Sequence, residues 1–301
     1  MESQTVLNNF AGLKHLIRLI QALPPCAAYP LIQVLASLNL ALRPGHPKAR
    51  AMFANQWVLH DGKINPARLR RIVRETFANR LRSQYDFYHN FNKPEKLMEM
   101  VVIGPNVQSL IDRARSKDHG IMLIGPHLGN FDLLGWVLAR HIPDMQVISI
   151  ANPPKSYQIE NEVRRKGGLE ITPASFEALA QASKRLKSGG VVVTANDRPV
   201  RDFKSPLDFC GKPASLPTAH VRLALKAQAP MFVAAAFRQA DQYYLEASDP
   251  IWPVPHNNHD QEIISNAERV LEISAAFIRK APEQWCMYYP IWADALPQTP
   301  R

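Results

Sequence analysis

The chain has 301 residues, with 36 Lys and Arg against 26 Asp and Glu, which gives a formal net charge of +10. At 46% hydrophobic and 21% charged it has the composition of a folded protein, which excludes a disordered or collagen-like chain, and its length suits one large domain or two small ones. Three cysteines, Cys26, Cys210 and Cys286, form no close pair and no CxxC, so neither a disulfide framework nor a zinc site is expected and a reducing compartment fits.

Met1–Leu13 carries Glu2 and little positive charge, so it does not read as a removable signal peptide. From about Val6, Leu13, Leu16, Ile17 and Ile20 fall at helical spacing, with Lys14, His15 and Arg18 elsewhere on the wheel. Leu19–Leu42 then runs for 24 residues without a charge, long enough on length alone to span a bilayer. Pro24, Pro25 and Pro30 break it, leaving a piece that ends near Leu23 and another from about Cys26 to Leu42. The expectation is an apolar helical hairpin lying in or against a membrane interface; the alternative is a hairpin packed on the protein's own core. Arg43–Arg82 follows with ten basic and two acidic residues, a local balance of +8, whereas Asp241–Arg301 has four basic and nine acidic residues. A basic stretch directly after an apolar hairpin suits anionic headgroups. Overlapping its end, Arg68–Asn92 reads as one long helix, with Leu69, Ile72, Val73, Phe77, Leu81 and Tyr85 at helical spacing.

From about Met98 the pattern changes to short apolar runs, MVVIG, IMLIG, QVISI, LEITP, VVVTAN, MFVAAAF and YYLEA, read as strands. Helices are expected between them near Asn106–Arg115, Asn130–Arg140, Ser156–Lys166, Ser175–Leu186 and Pro217–Lys226, with a last one from about Asp260 to Lys280. That alternation argues an α/β fold with a central, largely parallel mixed sheet flanked by helices. Residues 1–95 form the expected membrane-associating segment with its basic helix, and 96–301 the α/β core, in one continuous domain.

Functional side chains in such a sheet gather where strands end and helices begin. The strand IMLIG runs into Pro126-His127-Leu128-Gly129-Asn130-Phe131-Asp132 and then an apolar helix. Five residues of ideal helix rotate a side chain by about 500°, so His127 and Asp132 share no face. They meet if His127 lies in the turn before the helix and Gly129 lets the backbone fold tightly. A carboxylate on one imidazole nitrogen leaves the other as an oriented base, the arrangement that activates a hydroxyl. The competing reading is that His127 caps the helix and Asp132 pairs with a nearby arginine.

The order strand, HLGNFD, apolar helix resembles the H-x4-D/E motif of the lysophospholipid acyltransferase superfamily, and in particular its bacterial branch of lipid A late acyltransferases and phosphatidylinositol mannoside acyltransferases. Three further blocks carry the resemblance. Asn152–Pro173 looks like the branch's second block, with an Asn-Pro start and Arg164-x-x-Gly167; Thr194–Arg238 resembles its third, with Asp197, the Phe209-Cys210-Gly211 loop and Leu216-Pro217-Thr218; and Phe277–Trp292 is similar to its Pro-x-Gln-Trp close. Together they cover roughly residues 70–292. This sequence departs from the pattern in two places: Cys210 replaces an aromatic, and the Phe-Pro-Glu-Gly run of glycerol-phosphate acyltransferases is missing. Asp132 stands where lipid A enzymes most often have Glu, so it does not identify the acceptor.

The resemblance implies acyl transfer from a thioester, acyl-CoA or acyl carrier protein, to a hydroxyl of a lipid or glycolipid, without metal or cofactor. It makes His127 the general base and Asp132 the group that orients it. Arg164 and Arg198 are candidates to bind the oxyanion or anionic parts of the substrates, or else are salt-bridged surface residues. Asp197 binds the acceptor or holds Arg198, Asn130 belongs to the substrate-binding set, and Pro217 with Thr218 shapes a helix start. The implied location is the cytoplasmic face of a bacterial inner membrane, peripheral or monotopic. Cys210 reads as a small buried side chain, and His256 and His259 as residues of a solvated loop. Two other classes compete: a thioesterase on the same dyad, weakened because no G-x-S-x-G elbow is present, and a nucleic-acid binder, weakened because Phe53, Trp57 and Phe77 sit at core spacing within the basic stretch.

Overall fold

The computed structural model describes residue 19 and residues 22–300, apart from 143 and 201–204. The first half of the expected apolar hairpin therefore lies outside the described residues. The second half is α1 (Pro25–Leu42), which starts with proline at its first position, where the missing N–H costs nothing, and continues through Pro30. Its small face, Ala28, Ile32 and Ala36, packs on Ala78 and Tyr85 of α3 (Pro66–Asn90), the long arginine-rich helix. Its other face leaves Leu31, Val34, Leu35, Leu38 and Leu42 exposed. Between them α2 (Pro47–Leu59) is buried on nearly every side, and α4 (Pro94–Glu99) leads into the sheet.

The remaining elements follow in chain order: β1 (Val101–Ile103), α5 (Pro105–Ser116), β2 (Ile121–Ile124), α6 (Phe131–His141), β3 (Gln146–Ser149), α7 (Lys155–Lys166), β4 (Glu170–Pro173), α8 (Phe176–Lys187), β5 (Val191–Thr194), β6 (Leu207–Phe209), β7 (Lys212–Ala214), α9 (Ala219–Ala227), β8 (Met231–Gln239), β9 (Gln242–Ala247) and α10 (His259–Lys280). Seven strands form one mixed sheet in the order β1-β9-β8-β2-β5-β3-β4, parallel except where β8 meets β9. Each strand expected from the apolar runs is present. The sheet separates two cores: Met122 and Ile124 of β2 face one, with α9 and α10, while Ile121 and Leu123 face the other, with α5 and α6.

The small hairpin β6–β7 is an addition to the expected elements. Its two-residue turn is Cys210-Gly211, both at positive φ (57° and 73°), the conformation of a tight type I′ hairpin. Burial pushes the Cys210 thiol up to about 11, so it stays protonated at neutral pH and is no nucleophile. Thr218 stands at the N-cap position of α9, but its side chain makes no capping bond; only its carbonyl accepts, from Val221 and Arg222.

Candidate active site

β2 and β5 run parallel and adjacent, with Ile124 paired to Thr194. His127 and Asp197 each stand three residues beyond that pair, so the two strands deliver them together at the carboxyl edge of the sheet. His127 Nδ1 lies 2.7 Å from Asp197 Oδ1, and the His127 backbone N–H donates to Asp197 Oδ2 at 2.8 Å. Trp285 Nε1–H donates to the same Oδ2 at 2.9 Å. Asp197 is fully buried. Burial by itself raises a carboxyl pKa, but the adjacent His127 and the three N–H bonds outweigh it and hold Asp197 below its ordinary value.

This corrects the expected pairing of His127 with Asp132. The carboxylate on the imidazole is that of Asp197, which therefore is not engaged with Arg198. Asp132, on the first turn of α6, is held by two arginines: Arg164 Nε donates to Oδ1 at 2.8 Å, and Arg80 Nη1, from α3, donates to Oδ2 at 3.2 Å. Glu160 completes the buried cluster, 3.3 Å from Arg164 Nη2 and 3.9 Å from Arg80 Nη2. Burial raises the Asp132 pKa, and Arg164 and then Arg80 more than reverse this, so its carboxyl stays below the ordinary range. The two guanidiniums also approach the Phe131 ring, at 4.7 Å and 5.9 Å from its centroid, and that ring meets the His127 imidazole edge-on at 5.7 Å. Asp132 is thus linked to His127 only by way of the arginines and the Phe131 ring.

The turn is fixed from outside. Gly129 has φ +62°, and a Cβ there would collide with the Ala236 carbonyl, so glycine is required on two counts. A strap at residues 282–291 closes over it. The Cys286 N–H donates to the His127 carbonyl at 2.8 Å, the Gly129 N–H donates to Gln284 O at 3.0 Å, and the Gln284 side chain bonds both backbone groups of Arg238 at 2.8 and 2.9 Å. The same strap meets the helical segment: Asn55 donates to Met287 O and Tyr289 O and accepts from the Ile291 N–H, Gln56 donates to Pro282 O, and Asn79 donates to Glu283 O. The Pro-x-Gln-Trp sequence is therefore what seats the histidine and supplies the donor to its carboxylate.

Other expected site residues fall as follows. Asn130 is buried and caps α6, accepting from the Leu133 N–H at 3.1 Å and donating to Ser83 O at 3.2 Å, so its carboxamide is engaged within the protein. Arg164 is likewise committed, to Asp132, Glu160 and Asn161. Arg198 lies over the Tyr289 ring, 4.2 Å from its centroid, and has no ion-pair partner among the described residues. His127, Asp132, Arg164 and Arg198 all border one cavity of about 490 Å³, whose other walls include Leu134, Leu138, Val147, Leu169 and Ile171. That volume is in the range of ligand pockets, and this part of the wall is apolar. Among the described residues no group of His, Cys, Asp and Glu is disposed to hold a metal. Arg80, Glu160 and Trp285 are the site residues that sequence reasoning did not assign. Trp285 was within reach, because it belongs to a recognised block.

Curated relatives align with the chain, among them two from different organisms. The phosphatidylinositol mannoside acyltransferase of Mycobacterium tuberculosis (strain ATCC 25618 / H37Rv) is 26% identical over 199 residues, 64% of this chain and 60% of the relative. That of Mycolicibacterium smegmatis (strain ATCC 700084 / mc(2)155) is 23% identical over 186 residues, 60% of this chain and 59% of the relative. The matched stretch thus spans about three-fifths of each relative's length. The sequence pattern of the bacterial lipid A biosynthesis acyltransferase family matches residues 12–293, nearly the whole chain, and the protein belongs to that family.

Proposed function

We propose that this protein is a membrane-associated acyltransferase that moves an acyl chain from a thioester, acyl-CoA or acyl carrier protein, to a hydroxyl of a lipid or glycolipid. The observation that carries the reading is the 2.7 Å contact of a buried carboxylate with His127 beside an apolar cavity of about 490 Å³. With Nδ1 held as the donor to Asp197, Nε2 is the nitrogen left to take a proton. In the proposed reaction Nε2 accepts the acceptor's hydroxyl proton as the oxygen attacks the thioester carbonyl. A C–O bond forms, and the carbonyl electrons move to oxygen. On collapse the C–S bond breaks, and the thiolate takes the proton from the imidazolium. Asp197 stabilises that imidazolium, and the alkyl chain lies along Leu134, Leu138 and Leu169. Arg198, a cation on the cavity wall with no ion-pair partner among the described residues, faces the anionic parts of donor or acceptor. In this reading the protein works on an anionic bilayer, on the cytoplasmic side where thioester donors are made; the exposed leucines of α1 and the +8 stretch after it support it.

The purified protein, given hexadecanoyl-CoA and a bacterial lipid extract, is expected to release CoA and form one new acylated lipid, read by mass spectrometry. His127→Ala is expected to reduce this by about 10²–10⁴-fold, the usual contribution of a positioned base. CoA release with free fatty acid as the sole acyl product would instead identify a thioesterase, and activity retained in the alanine variant would remove His127 from the chemistry.

A further inference from the structure

A second cavity, of about 470 Å³, shares no residue with the first. It lies where the carboxyl end of α1 meets α2, α3 and the chain after residue 295. Among its walls Leu40, Phe53 and Leu296 are apolar, Arg50, Arg70 and Arg74 are cationic, and Ser37 and Thr299 carry hydroxyls; no acidic residue lines it among the described residues. Arg70 and Arg74 are four apart on α3 and so share a face, while Arg50 reaches the same space from α2. Arg74 is paired only with its chain neighbour Glu75, at 2.8 Å, and neither Arg50 nor Arg70 has an ion-pair partner among the described residues. Arg50 and Arg70, with no ion-pair partner among the described residues, bring uncompensated positive charge to the walls of a partly apolar space, which favours entry of an anion.

The neighbourhood says what carries that anion. Leu40 belongs to the last two turns of α1, where Leu38 and Leu42 are exposed by 47% and 76%. A soluble phosphate would use the arginines and leave this apolar surface bare, whereas a lipid uses both. We propose that this cavity binds the phosphate of an anionic phospholipid, with the lipid's chains along the bare face of α1. The site would fix how the protein sits on the bilayer, apart from the substrate cavity. The inference rests on the membrane association proposed above.

The test uses the full chain and dihexanoyl phosphatidylglycerol below its micellar concentration, followed by calorimetry. One saturable site is expected, with dihexanoyl phosphatidylcholine and glycerol 3-phosphate each binding about tenfold or more weakly. Arg50→Gln with Arg70→Gln is expected to weaken phosphatidylglycerol binding about tenfold or more. Arg68→Gln with Arg71→Gln, which removes equal charge from exposed positions of α3 outside the cavity, is expected to leave it unchanged. Equal loss in both variants would overturn the site in favour of diffuse charge, and glycerol 3-phosphate binding as tightly as the lipid would overturn its lipid character. Unchanged thermal unfolding of both variants shows that the comparison is one of folded proteins. Cosedimentation of the unaltered protein with phosphatidylcholine–phosphatidylglycerol vesicles reads the membrane association by itself: its failure sinks that reading, while success together with identical variants sinks only this inference.

Discussion

Asp197→Asn is expected to lower kcat by about 10³–10⁴-fold while changing KM little, the scale on which a buried carboxylate matters to the histidine it orients. Two effects combine. The imidazolium formed when His127 takes a proton loses its counter-charge at 2.7 Å, and an amide NH₂ placed opposite Nδ1 favours the wrong tautomer. The fold should persist, because the substitution is isosteric and the turn at His127 keeps its bonds to Gln284 and Cys286. It is weakened nonetheless, since three N–H groups converge on the two Asp197 oxygens and asparagine has one oxygen for them; an unsatisfied buried donor costs about 1–3 kcal/mol. Steady-state kinetics with a denaturation curve separates the two effects. Activity within tenfold of the unaltered protein would show that His127 works without Asp197.

Asp132→Asn is expected to fail in the opposite way, with a loss of about 3 kcal/mol in stability as its main effect. It removes the carboxylate between Arg80 and Arg164 and leaves these two half-buried guanidiniums with Glu160 as their remaining acidic partner among the described residues. The pH dependence follows from the sign of the shift. Asp132 is held below its ordinary 3.8 in the folded state, so its contribution is complete above the unfolded value and is lost as pH falls through the lower folded value. The stability gap between variant and unaltered protein should therefore be constant from pH 7 to about 5 and close in acid below the ordinary carboxyl range. Urea unfolding at pH 7, 5 and 3 checks this, and a gap that widened on acidification would contradict the ion-pair account. Some activity should be lost as well, because the arginines brace Phe131 against His127.

These two substitutions also mark where sequence reading reached and where it stopped. The strands were legible because each is a short apolar run bounded by turn residues, and α3 because its apolar residues repeat on one face. Helix α2 was not, because Ala49, Met52, Phe53, Asn55, Gln56 and Val58 are all buried and no face is left to show a period. His127 was found from its place at a strand end. Its partner was taken from the same motif, since a single chain shows residues near in sequence and hides which strands lie side by side. Asp197 is 70 residues away, brought in by the pairing of β2 with β5, a neighbour relation that hydrophobic pattern does not encode. The alternative in which Asp132 meets an arginine was the correct local reading, and Arg80 was visible only as part of a charge run. The cap made by Asn130 was hidden for a related reason: in sequence, a polar residue before a helix reads as a cap or as a ligand alike.

The strap at residues 282–291 has a consequence for the order in which the protein comes into being. Trp285 is made 88 residues after Asp197, a delay of roughly 4–18 s at ordinary rates of synthesis. Until it emerges, the Asp197 carboxylate lacks one of its donors and the His127 turn lacks the backbone that closes it. The exposed leucines of α1 and the arginines of α3 are finished long before. A chain arrested before Pro282 is therefore expected to reach anionic vesicles and transfer no acyl group, and transfer by such a chain would show the strap to be dispensable. Under the proposed function, arrival at the bilayer would precede the capacity to react, so a growing chain would meet its lipids without spending thioester on whatever lies nearby.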